Sequence, residues 1–421
     1  MVVAISRLCF RAAACSRVTM SPQRLVMLAF FTQPLAFASW LPRIPDIQLR
    51  LGLGPGELAL ALLGLPIGTL LTLPFAGPLV GRIGGRAAVQ LGFALFLVAV
   101  CLAPFAQHIA WLFAGLLLTG MTMSVLELGL NVIAAETERA TGTAIMSTCH
   151  GCWSLGMAAG SLAGVGLAAL GLMPQWSVVT IALLAAPAAF VLGRVLPEDR
   201  LNKGDPIASQ ASAGKSSGLF LPGPVLLGIC LFAFGCTAVE GASADWSAIY
   251  LRQAIGANAA AAGIGYTVFA TLLTVGRLLG DRLKRQFGPV VLARACTGAA
   301  LVGVAIVVFS PVYALSILGF ALAGLGVSVA FPLGVTAVAG LGDRPAASNV
   351  AILSLITLTG FLLGPPVIGF VAQHSSLRAG FAVLLPGLAA SLFLAGLLRH
   401  GADRKELAAD SISALAIETG K

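Results

Sequence analysis

Long runs of apolar residues, separated by short polar connections, divide this chain along most of its length. Twelve of these runs reach about 20 residues, the length that a helix needs to cross a hydrocarbon layer about 30 Å thick. They predict membrane-spanning helices at 25–42, 57–79, 88–106, 109–134, 144–169, 176–196, 221–249, 260–280, 289–309, 312–340, 346–372 and 379–398. The pattern therefore predicts an all-α integral membrane protein with 12 transmembrane helices.

The composition agrees, because 58% of the residues are hydrophobic and only 10% are charged, against about 25% charged in a typical soluble domain. With both termini in the cytoplasm, 21 of the 25 lysines and arginines, Arg277 among them, fall on the cytoplasmic side, as the positive-inside rule requires. This bias predicts a multi-pass protein of the inner (cytoplasmic) membrane with cytoplasmic termini. It also accounts for the net charge of +9 without a nucleic-acid partner.

The predicted helices form two halves of six. Both halves carry the same small residues, since Gly120, Ser124, Gly156 and Gly160 recur 204 positions later as Gly324, Ser328, Gly360 and Gly364. Two parallel six-helix bundles (6+6) of this kind are typical of secondary transporters. The predicted organisation is a basic cytoplasmic tail at 1–24, bundles at 25–196 and 219–398, a polar linker at 197–218 and a cytoplasmic tail at 399–421.

The first 24 residues carry four arginines and no acidic residue. Three interpretations of this segment stay open: a cytoplasmic tail, a transit peptide, or a true start at Met20.

Two short basic segments point to a family. GPLVGRIGGR at 77–86 and GRLLGDRLKR at 276–285 resemble the cytoplasmic loop signature of the major facilitator superfamily. The resemblance implies that Arg82, Arg86, Asp281 and Arg282 latch helix ends together on the cytoplasmic side. Gly81 stands where an acidic residue is usual, so this latch is expected to be weaker in the first half.

Three further regions resemble a narrower group. ASWLPRIPDIQLRLGL at 38–53, ELGLNVIAAETER at 127–139 with MSTCHGCWSLGMAAG at 146–160, and EGASADWSAIYLR at 240–252 are similar to the YbjJ-like branch, which is itself similar to the fucose permeases. Val132 stands where the sugar permeases have a proline, and the first helix has no acidic residue. These departures disfavour a sugar as the solute.

The fourth predicted helix carries a carboxylate inside its apolar run. Glu127 lies about 12 Å from the predicted cytoplasmic end at 1.5 Å per residue, and Asn131 shares its face. His150 on the fifth helix is predicted at nearly the same depth. Because an acid inside a membrane is costly to insert, we expect Glu127 to face a cavity and to carry a proton, with His150 as a possible partner; an interhelical hydrogen bond that only fixes the hairpin is the alternative.

The seventh helix carries a second carboxylate, Glu240, six residues before Trp246. Glu240 belongs to the second half, whereas Glu127 belongs to the first, as expected if the two carboxylates line a central cavity between the halves. Asp245 lies beside Trp246 and Tyr250, which are predicted to anchor the helix at the outer interface. We therefore expect Asp245 to belong to the outer rim, together with Arg43 of the first half.

Gln33, Trp153 and Asn349 are further candidates for lining the cavity. Cys149-His150-Gly151-Cys152 offers metal-binding residue types, but small buried thiols are the favoured interpretation, since no second ligand cluster is visible. Neither a metal nor a cofactor is predicted.

These features predict a monomeric carrier that moves a small organic solute by alternating access, with proton-coupled uptake as the first hypothesis. Two alternatives stay open: a proton-driven exporter of drugs or toxic metabolites, and a membrane sensor or scaffold that transports nothing. An enzyme is not predicted, because no nucleophile–base pair stands out.

Overall fold

The computed structural model describes residues 20–143, 145–197, 222–343 and 346–400. Within these residues, 12 helical segments are long and apolar enough to cross a membrane, which confirms the predicted fold class. They are span 1 (Pro22–Leu51), span 2 (Pro55–Ile83), span 3 (Gly85–Phe105), span 4 (Ile109–Thr141), span 5 (Thr148–Ala169), span 6 (Pro174–Val195), span 7 (Pro224–Gln253), span 8 (Ala259–Phe287), span 9 (Pro289–Phe309), span 10 (Tyr313–Ala339), span 11 (Ser348–His374) and span 12 (Leu377–Leu398).

The even number of spans places both ends of the described chain on one side of the protein, here called the inner side. Most of the predicted linker at 197–218 lies outside the described residues, as do 1–19 and 401–421 of the predicted tails.

Spans 4 and 8 each continue seven residues beyond their predicted ends, to Thr141 and Phe287. The predictions stopped where charged residues begin, but a helix can leave the hydrocarbon and continue. Basic side chains in the last turns, such as Arg139 and Lys284, suit the negative end of the helix dipole. Gly142 ends span 4 and Gly288 ends span 8, both with positive φ.

Two spans are interrupted. Span 1 consists of the helices Pro22–Thr32, Pro34–Trp40 and Ile44–Leu51, with a 3-10 turn at Leu41–Arg43, so it runs nine residues beyond its predicted end. Span 10 breaks at Ser328 and Val329, between the helices Tyr313–Val327 and Ala330–Ala339.

The packing of the second half repeats that of the first. Span 1 packs on spans 5 and 6, span 2 on span 4, and span 3 on spans 4 and 6; adding six to each number gives the main contacts of the second half. The backbone repeats as well, since Gly52 and Gly84 have positive φ, and so do Gly256 and Gly288, 204 positions later. The two six-helix bundles therefore fit the predicted parallel repeat.

Glycines let span 5 approach span 1 closely. A methyl group at Gly156, Gly160 or Gly164 would collide with the backbone of span 1, at the carbonyl oxygens of Phe31, Leu35 and Ser39 respectively. The same spacing in span 11 places Gly360 and Gly364 against span 7. Small residues at this spacing allow helices to pack closely in a membrane.

The aromatic residues near the end of span 7 do not anchor it at the interface, so that prediction is wrong. Trp246 and Tyr250 are fully buried. The indole N–H of Trp246 donates to the Pro365 carbonyl over 3.1 Å, and the Tyr250 hydroxyl donates to the carbonyl of Val307. Span 7 continues to Gln253, and this places both rings inside the second half.

Gly160→Ala should destabilise the protein, because the added methyl group has no room against Leu35. Overpacking of this kind costs about 1–3 kcal/mol. Gly166→Ala, in the same helix, is the matched control, since a methyl group there meets open space. The check is thermal unfolding of both purified variants in detergent; equal stability of the two would contradict the close contact.

Candidate functional site

An ion pair lies in the middle of the second half. The Arg277 guanidinium on span 8 donates through one terminal nitrogen to both carboxylate oxygens of Glu240 on span 7, each over 3.1 Å. Glu240 lies about 24 Å from the inner end and about 20 Å from the outer end of span 7, at 1.5 Å per residue. The pair therefore lies inside the membrane, where a charge is costly unless it is paired.

The same guanidinium also reaches the first half. Its other terminal nitrogen donates to the Ser154 hydroxyl on span 5 over 2.8 Å, and the Ser154 hydroxyl donates to the His150 carbonyl one turn earlier. Gly151 packs against Leu278 at the same level. Arg277 thus joins both halves at one point.

The sequence prediction for Arg277 was wrong, since it counted this residue among the cytoplasmic charges. Arg277 opens the basic segment GRLLGDRLKR, but span 8 runs ten residues farther, to Phe287, so Arg277 lies about 15 Å from the inner end. When the basic segments GPLVGRIGGR and GRLLGDRLKR are aligned residue by residue, Arg277 corresponds to Pro78. The positive-φ glycines that end the loops, Gly84 and Gly288, instead align Arg277 with Leu73, which is five residues deeper.

Two predicted residues, His150 and Trp153, lie near this ion pair, and a third, Gln33, is buried in span 1. His150 is exposed, its ring makes an edge contact with Phe30 at 5.5 Å between centroids, and it lies within electrostatic range of Arg277. Trp153 precedes Ser154, and its indole N–H is buried without a partner among the described residues. Gln33, at the break in span 1, is 1% exposed, and neither atom of its amide group has a described partner.

Tyr266 is a residue that the sequence analysis missed. It lies on span 8 three turns from Arg277, 5% exposed and stacked on Phe269, within electrostatic range of Glu240, Arg277 and Asp245. The helical spacing of Tyr266 and Arg277 would have been a signal once Arg277 was placed inside the span.

Glu127 does not meet His150. Among the described residues, no hydrogen bond or ion pair joins Glu127 to any other side chain, and the same is true of Asn131. Glu127 is half-buried, about 21 Å from the end of span 4, because that helix is longer than predicted. The neighbouring Leu126 packs against Gly92 of span 3. The structure therefore leaves Glu127 as a carboxyl group without a protein counterion among the described residues.

The remaining candidates are engaged elsewhere. Arg43 is buried and binds Asp46 over 2.9 Å and the Leu172 carbonyl over 2.8 Å, so its ion pair lies within the first half and not with Asp245, which is half-buried. Asn349 is fully buried near the inner end of span 11, where its amide donates to the Val338 carbonyl and to Asp343.

The predicted latch segments lie at the inner ends. Arg82, Asp281 and Arg282 are exposed, whereas Arg86 is half-buried and its Nε–H donates to the Gly193 carbonyl over 3.4 Å. Asp281 also borders a cavity of about 50 Å³ that extends from Arg277 along the break in span 10.

The two halves are joined on the outer side. Gln253 donates to Gln48 over 2.8 Å, the Gly56 N–H donates to Gln373 over 3.2 Å, and the hydroxyls of Ser161 and Thr267 share a hydrogen bond of 2.7 Å. The outer helix of span 2, Pro55–Leu62, packs against span 11, whereas its inner helix packs against span 4 of its own half. These contacts close the outer side between the two halves.

Glu240→Gln should destabilise the protein more than the double variant Glu240→Gln/Arg277→Gln. The single change leaves a guanidinium without its counterion inside the membrane, which costs about 3 kcal/mol, whereas removing both charges avoids that cost. Thermal unfolding of both variants in detergent checks the difference. A double variant as unstable as the single one would show that the pair is not coupled.

Comparisons with known proteins agree with this architecture. The family model described as Major Facilitator Superfamily matches residues 26–244 and 225–414, so that each half is matched. An uncharacterized MFS-type transporter of Yersinia pestis is 33% identical over 381 residues, which is 88% of this chain and 95% of the relative.

Two solved structures share the fold. The nucleoside transporter NupG, in its D323A mutant form, has a TM-score of 0.71 at 13% identity, covering 90% of this chain and 100% of that one. A bacterial homologue of the human lysosomal transporter Spinster, in an inward-facing and unoccupied conformation, has a TM-score of 0.62 at 16% identity, covering 92% and 96%.

Proposed function

Because this chain belongs to the major facilitator superfamily and is a multi-pass membrane transporter of that fold, we propose that it takes up a small organic solute together with protons. The two halves rock about their contact and expose a central site to each side in turn. All parts of this site lie in one chain, so a monomer suffices, and the bias of basic residues supports a location in the cytoplasmic membrane.

The observation that carries the proposal is the contact from Glu240 through Arg277 to Ser154. It lies inside the membrane, it is the point where charges of one half touch the other half, and its side chains are partly accessible, 23% for Arg277 and 20% for Glu240. A scaffold needs no partly accessible ion pair inside the hydrocarbon. A carrier does, because charges that change partners distinguish its loaded and empty states.

Two carboxyl groups are available for protons. Glu127 has no described counterion, so inside a membrane it is more stable as the neutral acid, and it ionises when water enters from one side. Glu240 is bound to the Arg277 guanidinium. These different surroundings suit two different steps, with Glu127 exchanging its proton with solvent and Glu240 responding to the solute.

Addition of a transported solute should acidify the lumen of proteoliposomes that contain the purified protein and a pH-sensitive dye. The panel comprises sugars, polyols, amino acids, carboxylates and nucleosides. Glu127→Gln should reduce the acidification, because one of the two carboxyl groups that can carry a proton is lost. Glu57→Gln is the control, since Glu57 is exposed at the start of span 2, where it accepts from the Gly54 N–H, and this variant should behave as wild type.

The same measurement separates the alternatives. A proton-driven exporter exchanges solute for protons, so external solute would make the lumen more alkaline. If no solute in the panel moves protons, the proposal fails; unchanged coupling in Glu127→Gln would remove that residue from the mechanism.

A further inference from the structure

The Arg277 guanidinium has hydrogen-bond donors to spare. Arginine carries five N–H donors in a planar fork. The bonds to Glu240 and Ser154 use at most three of them, so within the part of the chain that the structure describes at least two are left for another acceptor. When Glu240 leaves, the terminal nitrogen that bound it and the neighbouring Nε offer two donors side by side, which match a carboxylate in a bidentate contact.

The guanidinium is partly open to water. About a fifth of each side chain of the pair is accessible, and a cavity of about 50 Å³, the space of one or two water molecules, lies beside Arg277 between spans 8 and 10. The indole N–H of Trp153, the residue before Ser154 in span 5, is also buried without a described partner. Arg277 therefore has donors that the described residues do not use, at a place that water reaches.

We propose that the transported solute is an organic anion, and that its carboxylate replaces the carboxylate of Glu240 on the Arg277 guanidinium while Glu240 takes up a proton. This inference rests on the proposed function and names its substrate class.

Charge balance supports the exchange. In the empty site one guanidinium faces one carboxylate. If an anion joined them and Glu240 stayed ionised, two carboxylates would share one guanidinium in a membrane interior, where an excess charge is expensive. A proton from the outer solution on a Glu240 oxygen restores the balance. On the inner side the anion and the proton leave, and Glu240 returns to Arg277.

The same balance disfavours the other solute classes. A cation would be repelled by Arg277, because the N–H donors that Arg277 leaves unused carry positive charge. A neutral solute would not compete with Glu240 for the guanidinium, so its binding would give Glu240 no reason to take a proton. Only an anion couples the two events at this pair.

Other titratable groups lie near the pair or beside its cavity. Span 7 contributes Cys236 and Asp245, and span 8 contributes Tyr266. Span 5 contributes His150, and Asp281 and Lys284 of span 8 border the cavity on the inner side. Of the groups named, Lys284 lies farthest toward the inner end, so Arg277 supplies the positive charge at the level of Glu240.

The test measures binding to the purified full-length protein by titration, with thermal stabilisation as readout. The probes are succinate, lactate and glucuronate, each beside a neutral counterpart: succinamide, lactamide and glucose. In wild type, the apparent Kd of a carboxylate should fall about tenfold per pH unit from pH 8 to pH 6, as one linked proton requires. Glu240→Gln, which removes the competing charge, should bind at pH 8 at least about tenfold more tightly than wild type and lose this pH dependence.

Arg277→Gln should bind none of the carboxylates. Arg294→Gln, which removes an exposed charge at the inner end of span 9, is the matched control and should bind as wild type does. If Glu240→Gln is too unstable to titrate, the pH series on wild type decides. Neutral probes that bind as tightly as carboxylates, pH-independent carboxylate binding in wild type, retained binding in Arg277→Gln, or no carboxylate binding at all would each overturn the proposal.

The two proposals fail separately. Proton-coupled transport of a neutral solute, without carboxylate binding, would refute the substrate class and leave the proposed function standing. Carboxylate binding at Arg277 without any solute-driven proton movement would refute the proposed function alone.

Discussion

A guanidinium and a carboxylate can stay ionised inside a hydrocarbon layer only while each has the other as a partner. In this protein that condition is met by Arg277 and Glu240, on adjacent spans of the second half, with Ser154 of the first half as the third member. The constraint ties the two halves to one point. It also means that a group that binds Arg277 in place of Glu240 leaves Glu240 without a counterion. The charge on Glu240 must then be compensated, because neither charge is stable alone.

The backbone repeat does not extend to the charges. The 204-residue offset that relates Gly52 to Gly256 and Gly84 to Gly288 relates Arg277 to Leu73 and Glu240 to Ala36. The first half has Glu127 instead, and the corresponding position of the second half is Phe331. Among the described residues, one half thus supplies an acid without a counterion and the other an ion pair, so under the proposed function the two carboxyl groups would respond differently to water and to solute although their scaffolds match.

The fold was predictable from the sequence because hydrophobic length and basic-residue bias are properties of whole segments. The site was only partly predictable, because it depends on where single residues lie along and around each helix. Glu240 was found, since an acid in an apolar run stands out. Its partner Arg277 was not, because it begins a basic segment, and sequence does not show that span 8 continues to Phe287.

Glu127 and His150 illustrate the second difficulty. Their depths along spans 4 and 5 were predicted to agree, but span 4 continues to Thr141, so Glu127 lies about 21 Å from its inner end, whereas His150 lies only about 6 Å from the start of its helix at Met146. Helix rotation, which is set by packing, separates them further: Leu126 turns toward Gly92, and His150 turns toward Phe30 and Arg277. Periodicity in one sequence fixes the faces of a helix relative to each other, but not the neighbour that each face meets.

Alternating access requires that the outer contacts break at little cost, and their chemistry allows this. When the hydroxyls of Ser161 and Thr267 separate, Thr267 keeps its bond to the Gly263 carbonyl; when Gln48 leaves Gln253, it keeps its bond to the Leu53 carbonyl. When Arg277 leaves Ser154, it keeps Glu240. In each of these three contacts one partner stays satisfied within its own half, so the two conformations can differ by the few kcal/mol that a solute can supply on binding.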